Sequence, residues 1–164
     1  MDWSQWSPRE RAVLCFIRKD GQLLLIHKLR GLGAGKVNAP GGKVEPGETP
    51  LQAAVRETQE EVGVTPLHLS EHGALSFQFT DGYSLACTVF LAQDLEGSPV
   101  NTVEAEPFWV PADAVPYERM WEDDQHWLPQ MLAGFHATGR FVFDGERMLS
   151  KELAFLPAPS QALP

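Results

Sequence analysis

Glu57, Glu60 and Glu61 are the residues of this chain whose type and spacing most plainly invite chemistry. On a helix of 3.6 residues per turn they share about 100° of arc, with Glu57 one turn from both of the others. Like charges so placed cost roughly a few tenths of a kcal/mol per pair. Glu60 and Glu61 also fall near the helix C-terminus, where the dipole disfavours anions. A hard divalent cation would relieve both penalties. Mg²⁺ prefers carboxylate oxygens, keeps several waters and shares its shell with substrate phosphates. A solvated acidic helix face is the plainer reading of the same residues.

The helix that must carry them is legible. Thr49 can cap it, Pro50 suits its first position, and Gln52 completes a capping box. Leu51, Val55, Thr58 and Val62 recur at helical spacing and predict the buried stripe, with Gly63 as the stop signal. Ala53 lies within the acidic arc and Ala54 at its margin, so neither crowds the carboxylates. Upstream, Val13–Ile17 and Leu23–Ile26 read as strands buried on both faces, joined through the turn signal Asp20-Gly21. Downstream, strands are expected at Ala74–Phe79 and Leu85–Leu91 around Asp81-Gly82, and a shorter one at Phe108–Val110. A second helix over much of Gln125–His136 should bury Trp127, Leu128, Met131, Leu132 and Phe135, with Pro129 marking its start or a kink. A last hairpin, Arg140–Phe143 with Met148–Phe155, turns at Asp144-Gly145, and a disordered tail is expected from Pro157 to Pro164.

The 164 residues fit one domain, and 43% apolar with 21% charged residues is ordinary globular composition. A net charge of −9 argues against a polynucleotide partner. A small anionic substrate remains open, since Gly21–Val44 contains no acid but holds Lys28, Arg30, Lys36 and Lys43. That stretch could equally be a solvated strand and loop, and its run Gly31-Leu32-Gly33-Ala34-Gly35 is weak evidence for phosphate binding. Cys15 and Cys87 sit in apolar runs and read as core thiols of a reducing compartment. No signal peptide or membrane span is visible, so a soluble, cytoplasmic protein is expected. His27, His68, His72, His126 and His136 show no metal-ligand spacing, and Trp3 and Trp6 are expected to pack the N-terminus or mark a contact surface.

The segment from Gly42 to Val64 resembles the Nudix box: a glycine, five residues, a glutamate, seven residues, Arg-Glu, an aliphatic, any residue, Glu-Glu, any residue, then glycine and an aliphatic. Every glycine, glutamate and arginine position matches, and Thr58 stands at the aliphatic one. The resemblance implies that Glu57, Glu60 and Glu61 hold Mg²⁺ with the Gly42 carbonyl, Mn²⁺ being an alternative ion. It implies that Arg56 orients a carboxylate, with Glu48 the candidate. Glu104 is a candidate further ligand or base, or an ordinary loop acid.

Two further stretches, Arg30–Lys43 and Met120–Pro129, are similar to the branch of that family that hydrolyses oxidised purine nucleoside triphosphates. Carried over, Asn38, Asp123 and Asp124 would bond the purine edges and Trp121 would stack on its face. Phe77 and Phe79 would wall the pocket, and Lys28 would approach the phosphates or sugar. A carboxyl kept neutral by a close second one can donate while its partner accepts. Asp123 or Asp124 could instead cap the following helix, and Trp121 could be a core aromatic. Val37, Leu32 and Leu85 stand where that branch has tryptophan, phenylalanine and methionine, and the loop Thr80–Tyr83 is one residue shorter. The resemblance implies a single Nudix domain over residues 1–156, an α/β/α sandwich around a mixed β-sheet. The implied activity is hydrolysis of triphosphates such as 8-oxo-dGTP or 2-hydroxy-dATP to monophosphate and pyrophosphate, by a protein expected to be monomeric, with a dimer left open. Alternatives are a Nudix hydrolase of undamaged nucleotides or nucleotide sugars, and a sensing module that binds without turnover.

Overall fold

The computed structural model describes residues 1–158. Nine strands form one mixed sheet between two helices. In chain order these are β1 (Glu10–Lys19), β2 (Gln22–Lys28), β3 (Val37–Asn38), β4 (Gly41–Lys43), helix α1 (Pro50–Val62), β5 (Thr65–Phe79), β6 (Ser84–Glu96), β7 (Ala105–Pro111), helix α2 (Asp124–Leu132), β8 (Phe135–Asp144) and β9 (Arg147–Pro157). The main path runs β3-β2-β1-β6-β5-β8-β9, with β7 on β2 and β4 on β1. The pairs β1–β6 and β5–β8 are parallel and the others antiparallel.

Alternation along the central strands creates two apolar layers. Phe16, Leu23 and Leu25 face one way, toward Trp127, Leu128 and Met131 of α2. Val13, Cys15, Ile17, Leu24 and Ile26 face the other, toward Ala53, Ala54 and Val62 of α1. Burying a large apolar side chain contributes roughly 1.5–3 kcal/mol, so each layer binds its helix firmly. The two-faced burial read from the apolar runs is therefore the origin of the sandwich.

The feature that shapes the site is a fork. β1 and β2 pair only near their turn, from Ile17↔Leu24 to Lys19↔Gln22. Beyond it they diverge. β4 then takes the β1 edge at Ala12–Leu14, and β3 takes the β2 edge at Ile26–His27. These two- and three-residue strands are too short to carry a periodic signal.

Other differences from the sequence reading are local. β5 starts at Thr65 rather than Ala74, and its first half, with His68 at φ 57° and a register shift between Glu71 and Gly73, lacks clean alternation. Helix α2 starts at Asp124, contains Pro129 and stops at Leu132, so Phe135 is an exposed strand residue rather than a buried helical one. Pro157, expected in the tail, ends β9 opposite Phe135. The remainder of that expected tail, 159–164, lies outside the described residues. Among the described residues no helix is long and apolar enough to cross a membrane.

Candidate active site

Helix α1 forms as its sequence dictates. The Thr49 hydroxyl accepts from the Gln52 amide at 3.1 Å and the Gln52 side chain accepts from the Thr49 amide at 2.9 Å. Gly63 ends it at φ 75°, a left-handed conformation that glycine adopts without a Cβ penalty. Of the expected stripe, Thr58 and Val62 are buried and Val55 is half-buried, but its first residue is not. Leu51 is 48% exposed, whereas Ala53, Ala54, Thr58, Glu61 and Val62 are buried. The two alanines allow close approach to the sheet, and that turns the arc centred on Glu57 and Glu61 inward. At Thr58 the hydroxyl accommodates its burial by donating to the Ala54 carbonyl at 2.7 Å. Gly42 of β4 lies directly beneath Glu57: a Cβ there would overlap the Glu57 carboxylate.

Arg56 organises the acids around it. Its Nε donates to Glu48 Oε2 at 2.7 Å and its Nη2 to Glu48 Oε1 at 2.9 Å, the bidentate pair expected. It also donates to the Lys43 carbonyl at 2.9 Å, to Glu57 Oε1 at 2.9 Å and to Glu60 Oε2 at 3.2 Å. The guanidinium holds the Glu48 carboxyl down to about 2. The side chain of Glu60 is 59% exposed and does not line the cavity described next.

One cavity of about 710 Å³ opens along the fork, a size that accommodates a nucleotide. At one end Glu57, Glu61 and Glu104 face it together with Gly42, Lys28 and Arg30. Burial raises the Glu57 carboxyl, against the opposing pull of Arg56. Burial also raises Glu61, to about 8; Lys28 opposes this, while the charges of Glu57 and Glu104 add to it. Glu61 Oε2 is buried without a hydrogen-bond partner. Glu104 is half exposed, 3.6 Å from Arg30 Nη1. Among the described residues, no three acidic, histidine or cysteine side chains already close on one point. The donor set nevertheless suits a hard cation: oxygen atoms only, an unpartnered buried carboxylate oxygen, and three carboxyl groups facing the cavity beside Lys28 and Arg30.

At the other end the cavity is lined by Asn38, Phe77, Phe79, Trp121, Asp123 and Asp124. Asn38 Oδ1 accepts from the Ala39 amide at 2.8 Å, which leaves its amide nitrogen to donate. Asp123 stands at the N-cap position of α2 but makes no side-chain cap. Its Oδ2 instead accepts from the Trp127 indole at 2.8 Å, a second task for a residue expected only in the core. Asp124 Oδ2 is buried without a partner. Burial raises both carboxyls, and the Asp123 charge raises Asp124 further, so the pair favours retaining a proton. Trp121 is set edge-on to Phe79 and Phe143, at 6.1 and 5.5 Å between centroids.

Of the three departures noted in the pocket walls, Leu32 and Leu85 line the cavity, whereas Val37 is wholly buried outside it. Sequence reasoning missed Glu10, Leu14, Tyr83 and Cys87 as lining residues. The period of two along β1, from Glu10 through Ala12 to Leu14, was the available signal. Trp6 braces this wall from outside. Its indole donates to Gln78 Oε1 at 2.9 Å, and Gln78 Nε2 donates to the carbonyls of Phe79 and Tyr83.

Residues 8–131 match the NUDIX domain as a family. The chain belongs to the Nudix family. Among its Nudix relatives, an oxidized purine nucleoside triphosphate hydrolase of Danio rerio is 40% identical over 138 residues, 84% of this chain and 88% of that one. The protein of the same name in Mus musculus is 36% identical over 143 residues, covering 86% and 92%. The fold is likewise that of solved Nudix structures. A mutator MutT protein from Bacillus halodurans superposes with a TM-score of 0.77 at 28% identity, over 88% of this chain and 97% of that one.

Proposed function

We propose that this Nudix enzyme hydrolyses oxidised purine nucleoside triphosphates, such as 8-oxo-dGTP or 2-hydroxy-dATP, to monophosphate and pyrophosphate in the cytoplasm. The observation that carries the reading is the continuity of one cavity. Its carboxylate end and its Asp123–Asp124 end share a single volume, matched to a nucleotide held lengthwise. Relatives bearing the oxidised-purine name along most of their length support the choice of base.

Glu57, Glu61 and the Gly42 carbonyl would hold Mg²⁺, which when bound neutralises triphosphate charge and acidifies a water. Arg56 immobilises Glu57 while Glu48 immobilises Arg56. Lys28 and Arg30 draw the triphosphate inward. Glu104, reachable by solvent, takes the proton of the attacking water. At the far end Asn38 donates to a purine edge, and Trp121 stacks on the ring. Asp123 and Asp124 share a proton, so one donates to a base carbonyl while the other accepts.

The test is kcat/KM for 8-oxo-dGTP, 2-hydroxy-dATP, dGTP and ADP-ribose with Mg²⁺, wild type beside Glu57→Gln. Preference for an oxidised purine by about tenfold or more, roughly 1.4 kcal/mol of differential transition-state binding, supports the proposal. Equal rates on dGTP would transfer the function to undamaged purines. Turnover of ADP-ribose alone would overturn it.

A further inference from the structure

Behind Trp121 lies a group that the proposed reaction does not use. Lys36 Nζ sits over the Trp121 ring, 5.5 Å from its centroid, and Glu146 Oε1 holds that ammonium at 3.2 Å. Lys36 does not line the cavity, whereas Trp121 does. The ammonium covers one face of an indole that itself borders the cavity.

Three other contacts close on the same ring. Phe79 and Phe143 meet it edge-on. The glycine loop passes so near that a Cβ on Gly33 would lie 2.6 Å from the Trp121 Nε1 atom. The adjoining Glu122 carboxylate accepts from the Met148 amide at 3.3 Å, tying this segment to β9 just beyond Glu146. The loop before β3, the segment before α2 and the β8–β9 turn thus meet at one indole.

We propose that Lys36, held by Glu146, is a positioning and specificity-determining residue that clamps the Trp121 indole from behind for stacking on an electron-rich purine. The clamp rests on the function proposed above. A cation on one face of an aromatic ring draws π density toward itself. The opposite face then offers a better platform to a ring bearing added oxygen. The ammonium also limits the rotation of the indole, so less order has to be imposed when the nucleotide arrives.

The experiment compares wild type, Lys36→Met, Lys36→Arg and Glu146→Gln. The Trp121 indole N–H resonance, assigned with Trp121→Phe, is followed in ¹⁵N-labelled protein without nucleotide. KM and kcat are measured for 8-oxo-dGTP and dGTP. Lys36→Met should shift or broaden the indole resonance and raise KM for 8-oxo-dGTP by about two- to fivefold with kcat nearly unchanged. Lys36→Arg should restore both, and Glu146→Gln should fall between. An indole resonance and KM that do not respond to Lys36→Met overturn the clamp. So does a loss confined to kcat. Should wild type fail to turn over 8-oxo-dGTP, the proposed function falls, while the indole resonance still decides whether the clamp exists.

Discussion

At position 124 a carboxyl group is buried with one oxygen unpartnered, and its proton affinity is raised by burial and by Asp123. The unfolded chain releases this proton first as pH rises. The native state therefore loses stability from about pH 4 upward through the raised native pKa, and the cost is fully present above it. Asp124→Asn should remove that cost. Calorimetry of the nucleotide-free protein should show a higher Tm for the variant at pH 7.5 and convergence with wild type near pH 4. Under the proposed proton sharing the same substitution fixes a donor, so the pH dependence of base selectivity should flatten. Among the helix acids, position decides importance. Glu61→Gln should lower kcat by about 10²-fold or more at saturating Mg²⁺. Glu60→Gln should cost at least tenfold less than that, since Glu60 faces Arg56 and solvent. Steady-state kinetics of the two variants side by side would check both.

Helix α1 is set by its ends and by its small residues more than by its large apolar ones. Leu51 looks like a core residue in the sequence but stands in solvent, so Leu51→Gln should change stability by less than about 0.5 kcal/mol. Thr49→Ala, which removes the cap, should cost about 1 kcal/mol. Urea unfolding separates the two outcomes. At the meeting of α1 and β4, Gly42→Ala forces a Cβ into the Glu57 carboxylate. Its expected signature is weaker Mg²⁺ binding and a raised Mg²⁺ requirement for turnover, read by metal titration of the rate.

The whole molecule places its cavity where the sheet forks, so ligands at both ends lean on β1, β3, β4, α1 and the start of α2 together. A nucleotide that fills it should stabilise the entire domain by mass action. At 100 times Kd the gain is about 2.7 kcal/mol, which for a chain of this size raises Tm by roughly 5–10 °C. The product 8-oxo-dGMP with Mg²⁺ should show this shift in a thermal melt, and dGMP at equal concentration should show less. Chelation should reduce the shift if phosphate and carboxylates meet through the metal.

Local sequence determined a great deal here. The capping box, the Pro50 start and the Gly63 stop fixed α1 because those interactions lie within one turn of the chain. The apolar runs of β1 and β2 fixed two-faced burial because alternation is a property of the strand itself. The spacing of Glu57, Arg56 and Glu61 fixed their common helix. Only tertiary structure decided which way that helix is rotated, since Ala53 and Ala54 are chosen for how closely they let α1 approach the sheet. Only tertiary structure put Glu57 and Glu61, but not Glu60, on the cavity wall, gave the Trp127 indole to Asp123, and set Lys36 over the Trp121 ring. Those outcomes depend on partners many residues apart along the chain. The fork in the sheet brings them together, and the short strands β3 and β4 that fill it leave no pattern of their own.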